Sequence, residues 1–262
     1  MSADDLNATL AERRDLNSRY AILRVRPDDL PIPPFLPGQF VQVGLPEPAR
    51  AGPAGVDRPR LAKRSYSIAS AADDREGYEL FLTLVEQGLL TPELWARGPG
   101  DRLWVAPRAQ GFFTLERVPS GKDLVLVATG TGVAPYVSML RTFPERTPWR
   151  RAVLFHGVRS ASDFGYRDEL SGRELADPAF RYFPVASREA EGWKGIRGRV
   201  QPLFEPARFA ELVGWPLDPA ECHVFLCGNP AMIASLRELL APLGFEPATI
   251  ARGGNVHFER YW

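Results

Sequence analysis

The feature that most constrains the fold is a run at residues 123–135, DLVLVATGTGVAP. An apolar, β-forming stretch breaks at Gly130, Thr131 and Gly132, and Pro135 follows where a first helical turn favours proline. This order predicts a buried strand, a tight glycine turn and a helix, which together present backbone N–H groups to a phosphate. Pro135 replaces the third glycine of a dinucleotide fingerprint, so an ordinary strand-to-helix connection explains the turn equally well on its own.

Strands and helices alternate after residue 120. The predicted strands are residues 124–128, 151–158, 180–187 and 222–227, and the predicted helices start at residue 135 and cover residues 163–175, 206–213 and 230–240. A last β-like run, residues 256–262, ends on two aromatic side chains. This alternation predicts an α/β domain over residues 120–262, built on a parallel sheet covered on both faces.

The first half of the chain has a different texture. Short strand-like runs separated by Gly, Pro and Asp occur at residues 19–27, 38–45, 63–70, 78–86 and 101–106. Their close spacing predicts a small antiparallel β-barrel, with the N-terminal domain over residues 1–119. Residues 1–17 are predicted to be a polar arm, with a short helix as one conformation open to it. Thr91 is predicted to cap a short helix, a second candidate anion site.

Composition excludes several functional classes. Lys and Arg total 32, as do Asp and Glu, so the chain has no overall positive field for nucleic acid or a membrane surface. No apolar run approaches the roughly 20 residues that span a bilayer, so we expect a cytoplasmic protein without a membrane partner. Two cysteines are too few for an iron–sulfur cluster, and the three histidines form no metal-ligand pattern. We predict no metal site.

The predicted strand at residues 63–70 carries the sequence Arg64-Ser65-Tyr66-Ser67. Strand alternation places Arg64 and Tyr66 on one face. An arginine, a flat aromatic ring and a hydroxyl can bind a phosphate, stack on a ring and hydrogen-bond a heteroatom. Taken alone, a barrel strand with one exposed face explains this pattern more simply.

Other candidate residues follow the predicted parallel strands. Residues 227–230, CGNP, close one strand and open a helix at the same sheet edge as the glycine turn. Arg159, Arg188 and Arg199 come after other strands and could fork onto a monoester phosphate, whereas a NAD site would favour an acidic residue for the ribose. A buried core thiol at Cys227 and solvated surface arginines are the alternatives.

In combination and in this order, the motifs resemble the ferredoxin–NADP(+) reductase family, particularly its bacterial members. The motifs are RSYS (64–67), GLLT (88–91), GTGVAP (130–135), HGVR (156–159), SRE (187–189), GR (198–199), CGNP (227–230) and ERYW (259–262). The resemblance extends from about Arg19 to the end of the chain. It implies an oxidoreductase whose N-terminal domain binds FAD and whose C-terminal domain binds NADP(H) as substrate. Such an enzyme transfers a hydride between NADPH and flavin N5 and exchanges single electrons with ferredoxin or flavodoxin, and bacterial members are commonly monomers.

The resemblance also implies roles for residues at the flavin. Arg64 would bind the FAD pyrophosphate, Tyr66 would stack on the isoalloxazine, and Ser67 would hydrogen-bond near N5. The remaining contacts of the strand and of the pyrophosphate turn would be Ser65, Ile68, Ala69, Ser70, Gly88, Leu89, Leu90 and Thr91. Tyr261 would cover the flavin and move for nicotinamide, and Trp262 would reach the FAD adenine.

Roles at the coenzyme follow from the same resemblance. Thr131 would lie close to the flavin, and Gly130 and Gly132 would let NADP(H) approach. Cys227, next to Gly228, would border the nicotinamide. The dinucleotide contacts would come from Arg159 and, at the 2′-phosphate, from Ser187, Arg188 and Arg199. The implied catalytic residues are Ser67, Cys227, Tyr261 and Glu259, the last as a candidate for proton handling.

Two alternative functions stay open. One is the reductase component of an oxygenase, or an NADH-linked diaphorase, which usually has its own iron–sulfur domain or an acidic ribose-binding residue. The other is a flavin-binding electron-transfer subunit that uses no nicotinamide. Anaerobic reduction of the flavin by NADPH alone distinguishes the predicted reductase from such a subunit.

Overall fold

The computed structural model describes residues 6–47, 61–143, 148–189, 193–249 and 253–260. The chain divides into two compact units, the first comprising Met1–Phe112 and Val137–Thr142 and the second Phe113–Tyr136 and Phe143–Trp262. Each unit contains one six-stranded sheet. The domain boundary after residue 119 stays a prediction. Within the described ranges, no helix is both long and apolar enough to cross a membrane.

The first unit is the predicted antiparallel β-barrel. Its elements are β1 (Ala8–Asp15), β2 (Tyr20–Pro27), β3 (Phe40–Pro46), β4 (Leu61–Ser67), β5 (Tyr78–Thr83), α1 (Thr91–Trp95) and β6 (Arg102–Val105). The strand order is β4-β3-β6-β1-β2-β5, and every pair is antiparallel. An antiparallel bridge from Ile68, just after β4, to Leu80 of β5 joins the two outer strands. The sheet therefore closes on itself around an apolar core.

Two local predictions for this unit are wrong. The polar arm predicted for residues 1–17 is instead a strand over its described part, where Ala8–Asp15 forms β1, paired with both β2 and β6; residues 1–5 lie outside the described residues. Ala8 and Leu10 point into the core with no exposed surface, and the charged residues that follow them obscure this alternation in the sequence. Thr91 does not cap α1, whose N-cap position is Leu90. Its hydroxyl instead accepts from the N–H of Val85 and donates to the carbonyl of Val85, both at 3.0 Å.

The second unit has the predicted parallel sheet and flanking helices. Its elements are β7 (Asp123–Thr129), α2 (Ala134–Thr142, shared with the first unit), β8 (Arg151–Val158), α3 (Arg167–Ala176), β9 (Phe180–Ala186), β10 (Ile196–Arg197), α4 (Pro206–Val213), β11 (Cys222–Gly228), α5 (Pro230–Leu240) and β12 (Val256–Arg260). Strands run in the order β10-β9-β8-β7-β11-β12, all parallel. The six residues from Asp123 through 128 are buried, so both faces of the central strand are covered.

A buried carboxylate fastens the amino-terminal edge of this sheet. Asp123, at the start of β7, has no exposed surface and accepts two bonds from Arg150, both at 2.8 Å, and two from Arg151, at 3.2 and 2.6 Å. Burial opposes ionisation, but the two guanidinium groups prevail and hold the pKa of Asp123 below its ordinary value. Arg151 also stacks on Trp215, 4.3 Å from its ring centre. This cluster ties β7 to β8 at the end opposite the glycine turn.

Candidate functional site

The carboxyl-terminal edge of the parallel sheet collects the predicted coenzyme residues. Strand register places Ala128 beside both His156 and Cys227, and Val158 beside Ala186. The turns that follow β7, β8, β9 and β11 therefore emerge at one edge. Open parallel sheets bind ligands at this edge, where strand ends meet helix starts.

The glycine turn leaves no room for side chains. Gly130–Val133 forms a short 3-10 helix ahead of α2, and Gly130 has a φ of 55°, in the left-handed region. A Cβ atom on Gly132 would lie 2.4 Å from the carbonyl oxygen of Cys227. A Cβ atom on Gly228, whose φ is 127°, would lie 2.2 Å from the Thr129 hydroxyl. The turns after β7 and β11 are therefore in direct backbone contact.

Thr129 and Asn229 complete the link between these two turns. The N–H of Asn229 donates to the Thr129 hydroxyl at 2.7 Å. The Asn229 side chain in turn accepts from the N–H of Ala231 at 2.8 Å and caps α5, which begins at Pro230. Sequence reasoning missed Thr129, although a hydroxyl residue directly before the first glycine of such a turn was visible.

Cys227 and Glu259 are register partners on neighbouring strands β11 and β12. The Cys227 side chain has no exposed surface, and Glu259 is half-buried. Two of the predicted catalytic residues thus lie side by side at the carboxyl edge. The other chain-end candidates, Tyr261 and Trp262, lie outside the described residues.

His156 is a functional candidate that sequence reasoning passed over in favour of Arg159. Its imidazole is fully buried, with Nε2 3.0 Å from the carbonyl oxygen of Gly130 and Nδ1 3.3 Å from the hydroxyl of Tyr182. Burial lowers the pKa of His156 to about 4, and the bond to Gly130 opposes that shift only in part. The ring is therefore uncharged at neutral pH.

The three predicted arginines follow β8, β9 and β10, whose carboxyl ends are joined by backbone hydrogen bonds. The N–H of Arg188 donates to the carbonyl of Arg159 at 2.8 Å, and Ser187 donates to the carbonyl of Val158 from its N–H at 3.0 Å and its hydroxyl at 3.1 Å. Gly198 donates to the carbonyl of Ala186 at 3.0 Å and brings Arg199 to the same end of β9.

These three arginines are exposed, and none takes part in an ion pair with another described residue. Glu189, the nearest acidic residue in sequence to Arg188, accepts a hydrogen bond from the N–H of Ala161. Unpaired guanidinium groups at one strand edge favour a multiply charged anion such as a phosphate monoester.

Strand β4 of the first unit carries the predicted flavin residues. Arg64 and Ser65 are exposed, and the Arg64 guanidinium donates to the carbonyl of Lys63 at 2.7 Å but forms no ion pair with a described residue. The Tyr66 hydroxyl is buried and has no hydrogen-bond partner among the described residues. Burial raises the pKa of Tyr66, so this hydroxyl keeps its proton. Ser67 is buried.

The residues after β4 are already held within the first unit. Ile68 and Ala69 have no exposed surface, and their N–H groups donate to Gln39 at 3.0 Å and to Glu79 at 2.8 Å. The Ser70 carbonyl accepts from the hydroxyl of Ser138 at 2.7 Å. Any ligand contact of Ile68 or Ala69 would therefore come from their carbonyl groups.

The predicted pyrophosphate turn precedes α1. Gly88 donates to the carbonyl of Val85 at 2.8 Å, Leu89 is 46% exposed and Leu90 is buried. Thr91 turns its hydroxyl toward Val85, as described above. With five residues, α1 is short, so its backbone dipole offers little attraction for an anion.

Comparisons with known proteins are consistent with this arrangement. The family model for the oxidoreductase NAD-binding domain matches residues 126–238. The flavodoxin/ferredoxin–NADP reductase of Escherichia coli (strain K12) is 33% identical over 88% of this chain and 90% of its own length. Ferredoxin–NADP reductase A of Sorangium cellulosum (strain So ce56) is 35% identical over 86% of this chain and 80% of its own length.

Among solved structures, a ferredoxin NADP+ reductase from Neisseria gonorrhoeae with bound FAD and NADP has the same fold. It superposes with a TM-score of 0.84 at 24% identity and covers 98% of both chains. At that level of identity the superposition supports the fold, whereas the sequence relatives carry the argument on family.

Proposed function

Because this chain belongs to the ferredoxin–NADP reductase family, we propose that it transfers a hydride between NADP(H) and bound FAD and exchanges single electrons with a ferredoxin or flavodoxin. The observation that carries the proposal is the carboxyl edge of the parallel sheet in the second unit. This edge carries a tightly packed glycine turn and three arginines that form no ion pair with a described acidic residue. A dinucleotide needs a close approach to backbone for its pyrophosphate and strong cations for any terminal phosphate.

The arginines favour NADP(H) over NAD(H). A 2′-phosphate presents the monoester that Arg188 and Arg199 would bind, with Arg159 and Ser187 as further donors. An acidic residue aimed at the ribose diol would favour NAD(H) instead. The loop after β9 contains two acidic residues, Glu189 and Glu191. Glu189 already accepts from the N–H of Ala161, and Glu191 lies outside the described residues. We assign residues 120–262 to NADP(H) binding.

Two polar groups on β4 of the first unit have the chemistry to bind FAD. An unpaired buried hydroxyl is costly, and the Tyr66 hydroxyl gains a partner if a polar ligand covers it. The exposed Arg64 offers a guanidinium to a pyrophosphate. When bound, FAD supplies hydride exchange at N5 and the release of its two electrons one at a time.

We assign FAD binding to residues 1–119. Arg64 and Ser65 would hold the pyrophosphate side of the cofactor together with Gly88, Leu89 and Thr91, and Tyr66 and Ser67 would orient the flavin ring. Leu90, Ile68, Ala69 and Ser70 would support these contacts through packing and backbone. Tyr261 would cover the ring and exclude water, and Trp262 would bind the adenine.

On the coenzyme side, the chain's own residues would set the orientation of the nicotinamide. Gly130 and Gly132 would admit it, Thr131 and Gly228 would contact it, and Cys227 would limit its position. Glu259, register partner of Cys227, would hold or release the proton that accompanies electron transfer. We further propose a cytoplasmic monomer.

Anaerobic reduction of the purified flavoprotein tests the proposal. We expect NADPH alone to bleach the flavin absorbance, NADH to do so much less effectively, and oxidised flavodoxin or ferredoxin to restore the absorbance. A flavin that stays oxidised with NADPH would indicate an electron-transfer subunit that uses no nicotinamide. Equal efficiency with NADH would indicate a diaphorase or oxygenase reductase instead.

A further inference from the structure

The buried pair His156 and Tyr182 has no role in the function proposed above. Both side chains are almost completely buried, at 0% and 3% exposure, on the adjacent parallel strands β8 and β9. The ring edge of Phe164 packs on the imidazole at 5.2 Å between ring centres. A buried histidine that bonds the first residue of a ligand-binding turn is expensive to keep unless its hydrogen bonds are satisfied.

The partners determine which nitrogen carries the proton. The Gly130 carbonyl can only accept, so Nε2 of His156 must donate to it across 3.0 Å. Since Nδ1 then has no proton, it accepts from the hydroxyl of Tyr182 at 3.3 Å. Burial raises the pKa of Tyr182, so the hydroxyl remains a donor. The Gly130 carbonyl therefore sets the tautomer, and Tyr182 satisfies the remaining ring nitrogen and holds the orientation of the imidazole.

The bond from His156 adds a restraint on the glycine turn from the β8 side. Gly132 is limited by the Cys227 carbonyl, and Thr129 is bonded to Asn229. Both contacts come from β11 and its following turn, whereas His156 reaches Gly130 from β8. The glycine turn as a whole is thus restrained from both neighbouring strands, and the peptide that joins Gly130 to Thr131 is bonded by His156.

We propose that His156, oriented by Tyr182, is a positioning residue that fixes the Gly130–Thr131 peptide and so aligns the nicotinamide for hydride transfer. The inference rests on the proposed function and deepens it. It concerns the part of the coenzyme that NADPH and NADH share, and not the 2′-phosphate. Misplacement of a reactant by about 1 Å can cost about a hundredfold in rate.

The test compares His156→Leu, which removes the donor, with His156→Gln, whose amide N–H can reach the same carbonyl. Anaerobic stopped-flow measurements of the holoprotein would give the limiting rate of flavin reduction, and NADP+ titrations would give the dissociation constant. We expect His156→Leu to lower the limiting rate by roughly 10- to 100-fold with NADPH and NADH alike. The NADP+ dissociation constant should change by less than about threefold, and His156→Gln should recover most of the rate.

If His156→Leu fails to fold, the variant Tyr182→Phe still tests the positioning role of His156. It keeps the imidazole but removes the hydrogen bond that satisfies Nδ1 and orients the ring, and we expect a rate loss of about 3- to 10-fold with both coenzymes. Tyr136→Phe is the matched control, because it also removes a buried tyrosine hydroxyl, one that donates to the carbonyls of Val127 and Phe225. It should lower the unfolding midpoint without lowering the rate.

The outcomes separate the two proposals. If NADPH reduces the wild-type flavin but the His156 and Tyr182 variants keep its rate, or slow only with NADPH, the positioning role is wrong and the proposed function stands. The same holds if His156→Gln is folded and as slow as His156→Leu. If neither coenzyme reduces the wild-type flavin, the proposed function and the positioning role are both wrong.

Discussion

Strand β4 of the first unit carries the candidate flavin residues and the carboxyl edge of the second unit carries the candidate coenzyme residues, and the two regions differ in how their polar groups are satisfied. At the sheet edge, the turns are already bonded to one another through Thr129, Asn229 and His156. On β4, the Tyr66 hydroxyl has no partner among the described residues, and the one bond of the Arg64 side chain within those residues goes to the backbone of Lys63. In the parallel sheet, strand register alone brings the polar groups of the turns into contact. On the barrel strand, a ligand is needed to give the Tyr66 hydroxyl a hydrogen-bond partner.

The largest expected effect comes from filling the space at the preformed edge. Gly132→Ala places a Cβ atom 2.4 Å from the Cys227 carbonyl oxygen, a backbone atom that cannot move aside cheaply. We expect a loss of at least about a hundredfold in NADPH-dependent flavin reduction and roughly 1–3 kcal/mol in the free energy of unfolding. Stopped-flow reduction and urea unfolding measure the two quantities.

Gly172→Ala is the control, because no heavy atom lies within 4 Å of its Cβ position, within α3. Helix propensity predicts that it stabilises the protein by up to about 1 kcal/mol with no change in activity. Normal activity of Gly132→Ala would show that the glycine turn can adapt to a side chain. The carboxyl edge of the parallel sheet would then not be more rigidly preformed than strand β4.

The next effect concerns charge at the same edge. Replacing both Arg188 and Arg199 with Ala should raise KM for NADPH about a hundredfold, or roughly 3 kcal/mol, because two charge-assisted phosphate contacts are lost. KM for NADH should barely change. Steady-state kinetics with both coenzymes test this. The double variant Arg181→Ala and Arg208→Ala alters net charge equally at exposed positions and should change neither value; equal losses with NADPH and NADH would refute the phosphate assignment.

Acid should weaken the second unit selectively, because all three histidines belong to it. Burial lowers the pKa of His156 to about 4, and burial together with His223 and Arg117 lowers the pKa of His257 to about 4. As the pH falls, the histidines of the unfolded chain therefore bind protons before those of the folded chain do. The free energy of unfolding is highest above about pH 6.5 and decreases as the pH falls toward 4. The two groups together predict a loss of roughly 2 kcal/mol between pH 7 and 5.5.

Hydrogen exchange, corrected for the intrinsic rate, would locate this loss. We expect protection to fall in β7, β8 and β11 and to stay constant in β1 and β2 over the same range. A uniform loss across both sheets would contradict the assignment to buried histidines. The His156→Gln variant should reduce the pH dependence, since it removes one of the two groups.

The smallest expected effect tests the incomplete region. Tyr66→Phe removes a hydroxyl without a described partner, so the FAD-free protein should gain up to about 1 kcal/mol. FAD affinity should fall a few-fold if the cofactor supplies the missing partner. Unfolding of the apoprotein and fluorescence titration with FAD measure these opposite changes. Tyr136→Phe, which breaks two bonds to carbonyl groups, should instead destabilise the protein by about 1 kcal/mol.

Continuous apolar runs made the second unit readable from sequence. The predicted bounds of β8, α4 and α5 match the structure, because buried parallel strands and proline-initiated helices leave strong signals. Strand β1 was missed because only two of its residues point into the core and the charged residues that follow hide the alternation of apolar and polar positions. Strand β10 was missed because two residues are too few to show an alternating pattern.

The site was predictable where a motif follows a strand, and unpredictable where side chains meet across strands. Gly130, Arg159 and Cys227 could be placed at one edge from the strand order alone. The bonds of His156 to Gly130 and of Thr129 to Asn229 depend on register between separate strands, which one sequence does not encode visibly.

The fork of Arg150 and Arg151 on Asp123 has a practical consequence for redesign. These hydrogen bonds stabilise the amino-terminal end of the sheet, opposite the edge that carries the candidate coenzyme loops. Exchange of those loops should therefore leave the pairing of the strands intact. Coenzyme preference should therefore be transferable by grafting the segments after β8, β9 and β10 while the rest of the sheet is kept.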